Sequence, residues 1–133
     1  MLTDSCADYL SSILSTGRSL TIVNLKDNKL WDSGVKLLPA ARRNPNCKIQ
    51  KLEFRDNCLS ESCAEDLAST LNTNQSLAEL KLGNNKLKHL GVKQLSLALM
   101  NPHCKIQNLL LYRNVLTKSC VQVLSSALSK NSL

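Results

Sequence analysis

Six cysteines and two histidines are the side chains of this 133-residue chain with the most to offer chemistry, as metal ligands, disulfide partners or nucleophiles. Their spacing argues against all three uses. Zinc sites draw paired thiols from C-x-x-C elements, and no such pair occurs. His89 and His103 stand alone, one ahead of a predicted helix and one in a linker, without a cysteine or carboxylate at ligand spacing. Both read as solvated loop histidines, and no metal site is expected. Cys6, Cys63 and Cys120 are each 57 residues apart, and so are Cys47 and Cys104. A fixed interval places them at equivalent points of a repeating structure, directed into a core where a thiol behaves as a small hydrophobe. Only Cys58 is off that register. All six are therefore expected as reduced thiols in a reducing compartment. No G-x-x-x-x-G-K-[ST] phosphate loop, nucleophile elbow or paired-carboxylate motif appears. Hence no catalytic residue, no cofactor and no enzyme activity are expected. One sequon, Asn74-Gln75-Ser76, is present, but no secretory signal is visible at the N-terminus.

The interval of 57 belongs to a shorter pattern. In Leu77-Ala78-Glu79-Leu80-Lys81-Leu82-Gly83-Asn84-Asn85-Lys86-Leu87, apolar residues stand at the first, fourth, sixth and eleventh places and asparagine at the ninth. The pattern L-x-x-L-x-L-x-x-N-x-L is the signature of a leucine-rich repeat. It returns at Leu20-Val23-Leu25-Asn28-Leu30, Ile49-Leu52-Phe54-Asn57-Leu59 and Ile106-Leu109-Leu111-Asn114-Leu116, with steps of 29, 28 and 29. Leu80 and Leu82, two apart, share one face of an extended segment. A strand this short buries its apolar face only by stacking on copies of itself, which gives a parallel sheet running from repeat to repeat. The amides of Asn28, Asn57, Asn85 and Asn114 are placed to pair with backbone groups of their own and adjoining turns, as a buried asparagine ladder.

The second half of each repeat reads as a helix. Val92, Leu95 and Leu99 lie on one helical face, as do Cys63, Leu67, Leu71 and Cys120, Leu124, Leu128. Ser60 or Glu61, and Thr117, stand near helix starts as caps. The predicted fold is α/β, a leucine-rich-repeat solenoid forming a horseshoe segment, with short parallel strands on the concave face and helices on the convex face. One domain, 1–133, holds a partial repeat at 2–19 and repeats at 20–48, 49–76, 77–105 and 106–133. Neither end reads as a specialised cap, so a fragment of a longer array or a truncated product is expected. Pro39 and Arg42 replace the Ser96 and Leu99 of the copy. Proline breaks or kinks a regular helix, so this helix is expected to be the weakest part of the array's interior.

Aromatics are only 3% of the chain, so Leu, Val and Ile must build the core. No apolar run approaches the about 18 residues of a membrane span. What remains for function is a surface. Outward strand positions should line the concave face as a partner-binding set of Asn24, Lys26, Lys51, Glu53, Arg55, Glu79, Lys81, Tyr112 and Arg113. The set is mixed and slightly basic, with the aromatic–arginine pair Tyr112 and Arg113 as favoured interface anchors.

The 28/29 alternation, the Gly34-Val35-Lys36 and Gly91-Val92-Lys93 helix starts and the Asn-Pro-x-Cys-Lys-Ile-Gln linkers at Asn44 and Asn101 resemble the ribonuclease-inhibitor class of leucine-rich repeat. More narrowly, they resemble the C-terminal repeats of NOD-like receptors that carry pyrin and NACHT domains. Asn57 and Asn114 depart from that family, whose short repeats often have cysteine there. The resemblance implies a non-catalytic, cytoplasmic protein-interaction module, used for ligand sensing, autoregulation and scaffolding in innate immunity and inflammasome control, or in some members in oocyte and early-embryo complexes. Its partner would be a protein, including other domains of the same receptor. Two alternatives differ in class. A ribonuclease-inhibitor-like protein would face basic ribonucleases, which a net charge of +7 repels. A nucleic-acid-binding surface suits the charge but lacks interleaved aromatics.

Overall fold

The computed structural model describes residues 3, 6–16, 19–36, 38, 46–73, 76–115, 117, 118 and 122. Helix α1 (Ala7–Thr16) precedes strand β1 (Ile22–Asn24), and a 3-10 turn (Asp32–Lys36) follows. Strand β2 (Lys51–Glu53) leads to a second 3-10 turn (Glu61–Cys63) and helix α2 (Ala64–Thr73). Strand β3 (Glu79–Lys81), helix α3 (Lys88–Leu99) and strand β4 (Asn108–Leu110) complete the described elements.

The four strands form one parallel sheet in sequence order. Its register, Ile22 with Lys51, Lys51 with Glu79 and Glu79 with Asn108, reproduces the steps of 29, 28 and 29. Each strand has three residues, so the middle one faces inward and its neighbours outward. Leu52 and Leu80 are buried, while Val23 and Leu109 pack against the core from partial cover. Behind them Leu25, Phe54, Leu82 and Leu111, then Leu30, Leu59 and Leu87, form buried rows. Val92, Leu95 and Leu99 of α3, with Cys63, Leu67 and Leu71, close the core from the helical side. Leu20 is an exception to the motif: beside the edge strand β1 it is exposed, with no preceding strand next to it among the described residues. Gly34 is demanded by packing, since an added Cβ would lie 2.5 Å from the Leu30 Cβ.

The asparagines tie one repeat to the next. Asn85 donates through Nδ2 to the carbonyls of Phe54 (3.1 Å), Leu82 (2.9 Å) and Gly83 (3.2 Å). Its Oδ1 accepts from the backbone N–H groups of Asn57 (3.1 Å) and Leu59 (2.9 Å). Asn57 reaches Leu25 O in the same way at 2.7 Å and accepts from Leu30 N; Asn114 reaches Leu82 O at 2.8 Å and accepts from Leu87 N. Asn28 bonds within its own turn, to Leu25 O and Lys26 O, and is only half-buried.

Other expectations change. The short-form helix begins with a 3-10 turn, in which Ser60 caps by accepting from Ser62 N, before α2 proper starts at Ala64. Among the described cysteines only Cys63 is buried; Cys6, Cys47, Cys58 and Cys104 are half-buried free thiols. Cys47 and Cys104 sit in linkers at the rim and cover the core rather than fill it. Pro39, Arg42, Asn74, Leu116, Cys120, Leu124 and Leu128 lie outside the described residues.

Removing the Asn85 amide strands two buried N–H groups and three carbonyls, at about 1–3 kcal/mol for each group left without a partner. Asn85→Ala should therefore lower stability by at least about 2 kcal/mol, whereas Asn84→Gly, which keeps the left-handed turn, should change little. Equal urea midpoints for the two variants would show the bridging amide to be dispensable.

Candidate interaction surface

Outward strand side chains alternate with the buried row, so the sheet presents one open face. Ile22, Asn24, Lys51 and Asn108 are exposed there, and Glu53, Glu79, Lys81 and Leu110 are half-exposed. Because the strands are parallel and in register, like positions sit side by side and their charges interlock. Lys51 Nζ lies 3.7 Å from Glu79, and Lys81 Nζ lies 3.8 Å from Glu53 and 3.7 Å from Glu79. Lys26 is 3.9 Å from Asp27. The slightly basic face read from the sequence is thus largely neutralised from within. A depression of about 90 Å³ among Ile22, Asn24, Lys51, Glu53 and Lys81 is far below the roughly 300–1,000 Å³ of a small-molecule site. The face is suited to a macromolecular surface.

One contact on this face joins repeats that are not neighbours. Arg55 donates from Nη1 to the Tyr112 hydroxyl at 2.9 Å, across 57 residues. Between them lies Gly83, the same motif position in the intervening repeat, where an added Cβ would fall 2.4 Å from Tyr112 Cζ. The ring covers the bare glycine backbone, and only a residue without a side chain permits it. Arg55 Nε sits 3.5 Å from Asp56 and 4.0 Å from Glu53 but makes no hydrogen bond. The Tyr112 bond, opposed by desolvation and assisted by Glu53 and Asp56, raises the Arg55 pKa above its ordinary value. The structure therefore gathers Lys51, Glu53, Glu79 and Lys81 in one cluster and Arg55 with Tyr112 in another. Asn24 instead accepts from Lys26 N at 3.1 Å, and Arg113 stands apart, exposed on the following turn. The sequence reading does not single out Gly83, although a lone glycine in a row otherwise holding Lys26, Arg55 and Tyr112 is a legible signal of close approach.

The strand-exit turns carry a second arrangement. Asp27, Asp56, Asn84 and Arg113, all at the eighth motif position, have φ of 53–58°. Asp and Asn tolerate that left-handed conformation; Arg113 does not favour it. A second left-handed residue follows at Trp31 and Lys88 in the long repeats, and at Cys58 and Val115 in the short ones. The turns then pair across repeats. Asp32 accepts from Ser60 N (2.7 Å) and from the hydroxyls of Ser60 and Ser62. Partial burial raises its pKa, but the bonds from Ser60, Ser62 and Cys63 outweigh this and hold it below the ordinary aspartate value. Burial, with the Asp32 charge adding to it, pushes the Cys63 thiol well up, so this cysteine stays protonated and unreactive. The equivalent pair 57 residues on is His89 with Thr117, at 3.4 Å. His89 is therefore not a loop histidine: it occupies the first turn of α3, half-buried. His103 is exposed in the linker. Among the described residues no group of His, Cys, Asp and Glu is placed to hold a metal, and no helix is long and apolar enough to cross a membrane.

Two outcomes test this geometry. In Gly83→Ala the Tyr112 ring must leave its place. A double-mutant cycle of Arg55→Ala and Tyr112→Phe should therefore show coupling in the native chain and none in the chain carrying Gly83→Ala; coupling that survives would place the ring elsewhere. Asp32, with its depressed folded pKa, stabilises the fold above about pH 4, the unfolded aspartate value, and loses that contribution as pH falls through the folded value. The stability gap between the native chain and Asp32→Asn should accordingly narrow below about pH 4, and a gap constant from neutral to acid pH would exclude a role for the charge.

No family model matches the chain. Among solved structures, the actin-binding site 2 of leiomodin-1 superposes with a TM-score of 0.81 over 94% of this chain and 73% of that one, at 16% identity. The C-terminal domain of a Caenorhabditis elegans tropomodulin gives 0.58 over 95% and 93%, at 15% identity. At such identities the likeness is one of fold. Sequence relatives are closer. NACHT, LRR and PYD domains-containing protein 3 of Bos taurus is 42% identical over 130 residues, which is 98% of this chain and 13% of the relative. Protein 14 of the same name from Homo sapiens is 46% identical over 129 residues, 97% of this chain and 12% of the relative. The chain thus spans about one eighth of the length of the curated relatives it matches. Identity of this order, sustained across nearly every residue, makes the chain a homologue of the leucine-rich-repeat-bearing NACHT, LRR and PYD domains-containing proteins.

Proposed function

We propose that the chain is a non-catalytic protein-interaction module, a leucine-rich-repeat segment with the ligand-sensing and autoregulatory role of a cytosolic NOD-like receptor in innate immunity and inflammasome control. In this reading the repeats at 20–48, 49–76, 77–105 and 106–133, with the partial repeat at 2–19, curve as part of a horseshoe, strands concave and helices convex. The observation that carries it is the open sheet face: the outward residues of all four strands are unburied, although the row between them is packed. A fold that needs only the inner row leaves the outer one free for recognition. Asn24, Lys26, Lys51, Glu53, Arg55, Glu79, Lys81, Tyr112 and Arg113 are the contact set, and the partner is a protein, first among them another domain of the same receptor. Tyr112 and Arg55 are the anchors, because their mutual bond holds both side chains in place before contact.

Titration of the chain against the isolated NACHT domain of a relative tests the proposal. Binding should weaken about tenfold or more for Arg55→Ala or Tyr112→Ala. Loss of binding on changing the exposed helix residues Leu90 and Leu97, with the sheet-face variants unaffected, would move the interface to the convex side.

A further inference from the structure

The unit of 57 residues repeats its backbone but exchanges acids for neutral or basic residues along one edge. On the strand-exit edge the first unit carries Asp27, Asp32, Asp56 and Glu61. Fifty-seven residues on, the same four positions hold Asn84, His89, Arg113 and Lys118. Trp31 is matched by Lys88, and Lys29 by Lys86. From Leu80 to the last residue there is no Asp or Glu at all.

The two edges are built alike. In the first, Asp27 N donates to Arg55 O and Trp31 N to Asn57 O; in the second, Asn84 N donates to Tyr112 O and Lys88 N to Asn114 O, each at 2.9–3.0 Å. Where Asp56 and Glu61 of the first edge become Arg113 and Lys118 of the second, the fold is made equally well with an acid or a cation, so packing does not call for those cations. Three of the four acids of the first edge are also occupied at home: Asp27 with Lys26, Asp56 with Arg55, and Asp32 with Ser60 and Ser62. The cations of the second are not. Lys86, Lys88, Arg113 and Lys118 are all exposed, and none takes part in an ion pair among the described residues. Beside them Val115 is 65% exposed and Tyr112 is 42% exposed, giving apolar contact area within a positive field.

We infer that this edge, carrying Lys86, Lys88, Arg113 and Lys118, is a docking surface for an acidic polypeptide segment. Four like charges on two adjoining repeats attract a run of carboxylates and speed its encounter, while Val115 and Tyr112 offer contact to an apolar residue within that run. The site adjoins the sheet face proposed above and shares Tyr112 and Arg113 with its contact set, but Lys86, Lys88, Lys118 and Val115 lie outside that set and the inference does not depend on its role.

The first unit supplies its own test variant. Asn84→Asp, Arg113→Asp and Lys118→Glu together transplant three of the four acids of the first edge onto the second, using residues that this backbone already accommodates. A control changes the charge equally on the opposite edge: Lys48→Glu, Lys105→Glu and Gln107→Glu, all exposed. The probe is a fluorescein-labelled peptide of about twelve residues, rich in glutamate with one leucine, followed by anisotropy at low salt, about 50 mM. The native chain should bind it, the transplant at least about tenfold more weakly, and the control within about twofold of native. No binding by the native chain, or equal loss in both variants, would overturn the proposal. So would an oligothymidylate of equal charge displacing the peptide more effectively than unlabelled peptide, which would assign the edge to nucleic acid. Circular dichroism melting of both variants shows that each is folded, and NACHT-domain binding measured on Asn84→Asp with Lys118→Glu, which leaves every residue of the sheet-face set in place, reports on the sheet face independently.

Discussion

A three-residue strand is too short to hold a fold. It exchanges few ladder hydrogen bonds with each neighbour, and the chain must turn away at once, leaving turn carbonyls and N–H groups inside the protein. Orphaned buried groups of that kind cost more than the weak net gain of a bond formed. The buried asparagine amide resolves this. Asn57, Asn85 and Asn114 each direct Nδ2 to carbonyls of two successive repeats and Oδ1 to an N–H of the preceding one. Because one side chain spans two turns, the repeats must stack with their turns in register. The sheet register, the buried leucine rows behind it and the alignment of outward side chains all follow from that stacking.

Regular stacking is what lets distant residues cooperate on the surface. Arg55 and Tyr112 meet because the residue between them is Gly83, so a glycine acts here by what it leaves empty. Asp32 meets Ser60 and Ser62 because the 3-10 turn of one long repeat lies beside the cap of the next short one. The same backbone frame presents His89 to Thr117. Two repeats of 29 and 28 residues are therefore the unit of surface chemistry as well as of sequence. The alternation of left-handed residues, at the twelfth motif position in long repeats and the tenth in short ones, is its backbone counterpart.

Charge separates the two units more than packing does. The sheet face balances itself through Lys51, Glu53, Glu79 and Lys81, so the excess positive charge is carried elsewhere, above all beyond Glu79. Surface ion pairs of this sort contribute little to stability. Their effect here is to set which parts of the surface attract other molecules and which do not.

The sequence by itself determined the α/β architecture, the parallel order of the strands and their offsets of 29, 28 and 29. Those depend on local periodicity: alternate residues of a strand face opposite sides, and a helix repeats its face every three to four residues. Leu80 with Leu82, and Val92 with Leu95 and Leu99, could be assigned inward from spacing alone. Tertiary structure decided what depends on neighbours in space. Spacing put all the register cysteines inside, yet of those described only Cys63 is buried, since Cys47 and Cys104 fall in linkers at the rim. Leu20 fits the motif but is exposed, because among the described residues no strand precedes β1 to cover it. The pairing of Arg55 with Tyr112, the capping contacts of Asp32 and the place of His89 within a helix each join residues 28 to 57 positions apart. No local pattern encodes such contacts; they follow from how far a side chain reaches once the repeats have stacked.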